Sequence, residues 1–121
     1  MNKVIHHAEK SARLFHSKLK KYPQFLKYWD WYPQKTWGPD FEGNHFNTSK
    51  LMDDMIAFNT PDLIMARFFM GMWDGELCYY SRVNNEIDSF YLFDVFLVMR
   101  TDVILAQDKK FILEWFRESL V

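Results

Sequence analysis

The chain has 121 residues and a formal net charge of −1, with 49% hydrophobic, 26% charged and 19% aromatic residues. That length suits one domain able to bury most of the surface its unfolded chain exposes. No apolar run approaches the ~20 residues that cross a bilayer, the first residues show no apolar signal region, and the single cysteine, Cys78, excludes an internal disulfide. A soluble cytoplasmic protein with no membrane segment is the expectation.

Residues 3–21 predict an amphipathic helix, with Val4, Ala8, Phe15, Leu19 and Tyr22 on one face and Lys10, Lys18, Lys20 and Lys21 on the other. Pro23 stops it, and Gln24–Trp31 predicts a short second helix. Residues 32–46 read as an irregular loop, since Pro33, Gly38, Pro39 and Gly43 fall within it. The aromatics crowd here: Tyr28, Trp29, Trp31, Tyr32, Trp37, Phe41 and Phe46. They form either a small local core or a surface built for contact.

Asn47, Thr48 and Ser49 offer capping oxygens for a helix that buries Leu51, Met52, Met55, Ile56 and Phe58. The next start is sharper, with Thr60 as the cap, Pro61 in the first helical position and Asp62 in the first turn. Leu63 to Trp73 is apolar on nearly every side, which describes a central helix, and Asp74-Gly75 ends it. Residues 76–83 fit either a helical turn or an extended piece. A second central helix is expected from Glu86 through Ile87, Phe90, Tyr91, Phe93, Val95, Leu97 and Val98. Asp108 predicts the cap of a last helix, with Phe111, Ile112, Trp115 and Phe116 inward. The fold class is therefore all-α: a compact single-domain bundle of five to six helices over residues 1–121, with the aromatic-rich irregular segment at 32–46.

Charge is divided along the chain: residues 1–37 carry a net +6 and residues 38–108 a net −8. The second segment holds Asp53, Asp54, Asp74, Glu76, Glu86 and Asp88, enough to make an acidic surface that steers a basic partner. Arg67 and Asp94 interrupt apolar helices, and a buried charge is costly unless paired, so the two are expected to meet.

Conventional chemistry finds little support. His6, Glu9 and His16 are too widely spaced to supply four zinc ligands, and His45 has no partner in sequence, so neither a metal nor a cofactor is expected. Cys78 has an acid, Glu76, beside it instead of an activating base or cation, so it reads as a small buried residue. Adjacent carboxylates such as Asp53 and Asp54 point about 100° apart on a helix and make no catalytic pair. The 28–46 aromatics with Lys27 and Lys35 suit base stacking, but Asp30, Asp40 and Glu42 weaken the field that nucleic-acid binding needs.

From Pro61 onward the chain resembles small helical proteins of integron gene cassettes and toxin–immunity loci. The resemblance lies in Ala66-Arg67-Phe68-Phe69-Met70-Gly71, in Asp88-Ser89-Phe90-Tyr91-Leu92-Phe93-Asp94 and in Lys110-Phe111-Ile112-Leu113-Glu114-Trp115-Phe116. It implies an accessory role on a mobile element, often the neutralising of a toxin, and assigns no catalytic residues. The leading expectation is an immunity- or inhibitor-type protein, monomer or homodimer, that masks a basic, nuclease-like protein. Its contacts would be Trp31, Trp37, Asp53, Asp54, Asp74 and Glu76. A small enzyme assembled from His45, Cys78 and the acids is the alternative, and a nucleic-acid accessory protein using the basic first helix is the third.

Overall fold

The computed structural model describes residues 12–30, 45–74, 79–80, 86–98, 100 and 104–119. About three quarters of these are helical, so the fold is all-α. The chain divides into two compact units, Met1–Leu51 and Met52–Val121.

In the first unit, residues 12–19 form helix α1. Ala12, Phe15, Leu19 and Tyr22 are buried from it and the turn that follows, as the three- and four-residue spacing predicts. Pro23–Tyr28 is a 3-10 helix, opened by a proline that needs no amide partner there and burying Phe25 and Tyr28. The expected helix through Trp31 stops short, because Trp29–Asp30 (β1) turns extended and pairs antiparallel with His45–Phe46 (β2). Trp29 faces Phe46 and Asp30 faces His45 in that ladder. The Asn47 amide extends it, donating to the Tyr28 carbonyl at 2.7 Å. Phe15 closes the core, 5.7 Å from Trp29 and 5.0 Å from Phe46 between ring centres.

Helix α2, Thr48–Asp54, is capped by Asn47, whose side-chain oxygen accepts from the Lys50 amide at 3.0 Å. It tightens into a 3-10 turn at Met55–Ala57. Helix α3, Thr60–Asp74, is capped one residue earlier than expected: the Asn59 side chain accepts from the Asp62 amide at 2.9 Å. Its Ile64, Met65, Ala66, Phe68, Phe69 and Met70 are buried. Phe68 is the hub of the second unit, with Phe93, Phe111, Trp115 and Phe116 all within 5.3–6.4 Å of its ring centre. Several meet it edge-on, the arrangement that the ring quadrupole favours.

The helix expected from Glu86 does not form. Ile87–Asp88 (β4) pairs antiparallel with Tyr79–Tyr80 (β3). A 3-10 turn follows at Ser89–Tyr91, and among the described residues of this stretch only Val95–Val98 (α4) is α-helical. Two aspartates interrupt the helix locally. Asp88 accepts from the Phe90 amide at 3.0 Å and Asp94 from the Phe96 amide at 2.9 Å, so each restarts the backbone with a side-chain bond that a continuous helix cannot make. Helix α5, Ala106–Ser119, opens two residues ahead of the expected cap, with the Asp108 and Lys109 amides both bonded to the Leu105 carbonyl. Asp108 sits in its first turn and is buried, alongside Phe111, Ile112 and Trp115.

Candidate interaction surface

In α2, Leu51 and Met52 are buried. The tightened turn after Asp54 has three residues per turn, so Met55 stacks one turn beyond Met52 while Ile56 swings outward. The expectation that Ile56 is buried is therefore corrected: it is 82% exposed. Asp53 just before it is exposed and Asp54 half-buried.

The same inversion occurs further along. With the helix interrupted at Asp94, the residues after it no longer follow the register that would have buried Val95. Leu92, Val95 and Phe96 are exposed, Phe96 at 79%, while Phe93 and Val98 turn inward. Asp94 is exposed among them and Glu86 is exposed at the start of the segment. The Tyr91 hydroxyl donates to the Met52 carbonyl at 3.3 Å. This bond ties the stretch carrying Asp53, Asp54 and Ile56 to the stretch carrying Leu92, Asp94 and Phe96.

Arg67 fixes the second stretch from the other side. Its Nε donates to the Phe90 carbonyl at 2.6 Å, and the guanidinium lies 5.5 Å from the Phe90 ring centre. Burial holds its pKa below the ordinary arginine value. The expected Arg67–Asp94 pair is thus corrected. Arg67 is satisfied by a carbonyl and a ring face, and Asp94 stays in water, capping its own turn. The guanidinium remains charged at neutral pH, since the ordinary arginine pKa lies far above it, and the Phe90 carbonyl supplies a hydrogen bond that the half-buried cation needs.

Of the other expected contact residues, Asp74 is the last residue of α3. Trp31, Trp37 and Glu76 lie outside the described residues, as do His6, His7, Glu9 and Cys78; His45 is placed only by its backbone pairing with Asp30. His16 stacks on Trp29, the ring planes 6° apart and the centres 5.1 Å apart. Desolvation, and then the charge of Lys20, lower its pKa from the ordinary histidine value. Among the described residues, no three His, Cys, Asp or Glu side chains gather where an ion could be held, and no helix is long and apolar enough to cross a membrane.

The sequence named Asp53 and Asp54 as contact residues, and the exposure of Ile56 and Phe96 did not follow from its periodicity. The missed signal lies in the aspartates at 88 and 94, each of which accepts a backbone amide two residues further on. Compared with family models, curated proteins and solved structures, the chain matches none.

Proposed function

We propose that the chain is a protein-binding module of the inhibitor or immunity type, masking a basic protein through an acidic and apolar surface. The observation that carries this reading is the exposure of Ile56 and Phe96 beside Asp53 and Asp94. Large apolar side chains left in water next to carboxylates are the composition of a contact patch: the apolar groups anchor, and the charges steer and select. The reading takes up the expected likeness of residues 61–121 to proteins of toxin–immunity loci, and a nuclease-like protein would supply the basic surface. Trp31, Trp37, Asp74 and Glu76 belong to the same proposed contact set, and the module would work in the cytoplasm as a monomer or homodimer.

Affinity capture with the intact chain against the product of the neighbouring gene tests this. The reading predicts a protein retained by the wild type, lost when Ile56 and Phe96 are both changed to Ser, and bound more slowly as salt rises. Equal retention by the double variant, or a small molecule that co-purifies in place of a protein, would contradict it and favour the enzyme alternative.

A further inference from the structure

Residues 92–96 combine exposed apolar side chains with a fixed carboxylate. Leu92, Val95 and Phe96 are exposed, Phe96 at 79%. Asp94 stands exposed among them. Its Oδ1 accepts from the Phe96 amide at 2.9 Å, which pins the carboxylate to the backbone of the residue that carries the ring.

An ionised carboxylate has about four acceptor positions, and one backbone amide fills a single one of them. Asp94 therefore keeps acceptor capacity toward solvent. Arg67 of this chain does not draw on it, because its Nε donates to the Phe90 carbonyl and its guanidinium lies against the Phe90 ring.

We propose that residues 92–96 seat one arginine side chain of the basic partner. This inference rests on the protein-binding reading and deepens it, since it names the group on the partner that the surface takes. Charge complementarity calls for a cation, and the apolar neighbours select which one. A lysine ammonium is compact and strongly hydrated, so placing it against Val95 and Phe96 strips water that those side chains do not replace. A guanidinium is planar and more weakly hydrated. Its edge bonds the carboxylate while its face lies over the Phe96 ring. The aliphatic stem of the arginine then covers apolar surface at Leu92 or Val95. Arg67 makes the same combination within the chain, one N–H on an acceptor and the guanidinium 5.5 Å from the Phe90 ring centre.

The probes are amidated tetra-arginine and tetra-lysine, titrated into the intact chain at constant ionic strength. Nuclear magnetic resonance follows the backbone and side-chain signals of residues 92–96. Tetra-arginine should saturate those signals and bind about two- to fivefold more tightly than tetra-lysine, the ratio that an exposed cation–π contact supplies. Asp94→Asn retains the cap and Phe96→Leu retains apolar bulk, and each should weaken tetra-arginine binding about two- to fivefold. Phe96→Leu should also erase the preference over lysine. Circular dichroism of both variants should match the wild type, and the wild-type comparison of the two peptides decides the question if either fails to fold. Equal affinity for the two peptides would overturn the proposal, as would shifts centred on Asp53 and Asp54 with residues 92–96 unmoved. Neither result touches the protein-binding reading, which stands or falls on capture by the Ile56 and Phe96 double variant. Shifts at residues 92–96 that follow protein concentration alone would give this surface to a second copy of the chain and overturn the proposal as well.

Discussion

Arg67 sits in an otherwise apolar helix and reaches the carbonyl of Phe90 instead of the carboxylate of Asp94. Arg67→Met should cost about 1–3 kcal/mol, because it leaves a part-buried carbonyl without its donor. Asp94→Asn should fall within about 0.5 kcal/mol of the wild type, since asparagine caps as well as aspartate. The two changes should then add in a double-mutant cycle on urea unfolding, within about 0.5 kcal/mol. A coupling well above that would mean the two charges do meet. His16 makes a prediction in pH. Its folded pKa is lowered by desolvation and by Lys20, so the unfolded chain binds that proton more tightly. The stability linked to His16 is therefore present above the unfolded value, about 6.5, and is lost as pH falls through it, levelling off below the folded value. Melting temperature measured against pH should show this loss in the wild type and less of it in His16→Gln. Identical profiles would assign the dependence to other groups.

At the scale of elements, α3 was legible because two independent signals agree on it. A run of apolar residues from Leu63 follows a capping sequence with proline and an acid in the first turn. The cap itself is displaced by one residue, since Asn59 and Thr60 both carry a suitable oxygen and only geometry chooses between them. Asn59→Ala should cost about 1 kcal/mol in thermal or urea unfolding, whereas Thr60→Ala should cost a few tenths; equal costs would return the cap to Thr60. The stretch from Glu86 was misread for a physical reason. Its apolar spacing fits a helix, yet Asp88 and Asp94 each offer the backbone a competing bond, and the β3–β4 pairing depends on residues that local periodicity does not register. The β1–β2 pairing escapes for the same reason, because Trp29 and Phe46 are brought together across the whole 31–44 segment. Half of the candidate surface followed from that error: a continuous helix would have hidden Val95, whereas the interrupted one leaves Val95 exposed beside Phe96.

For the molecule as a whole, the charge division read from the sequence takes on two distinct local forms. In the first unit it is the exposed cations Arg13 and Lys20, on α1 and just past its end. In the second it is a set of carboxylates, Asp53, Asp54, Glu86 and Asp94, interspersed with exposed Ile56, Leu92, Val95 and Phe96. Exposed charges act over about 8–10 Å at physiological ionic strength and chiefly set the rate of encounter. Apolar anchors act after contact and chiefly set the lifetime of the complex. The most direct measurement is therefore the binding kinetics of the captured partner with two variants of this chain, Asp53→Lys with Asp54→Lys, and Phe96→Ser alone. The charge reversal should lower the association rate by about tenfold or more at low salt and leave dissociation nearly unchanged. The Phe96 change should speed dissociation by about tenfold or more, the mark of an anchoring side chain. If both variants bind and release the partner at wild-type rates, the acidic and apolar surface is not where this protein makes its contact.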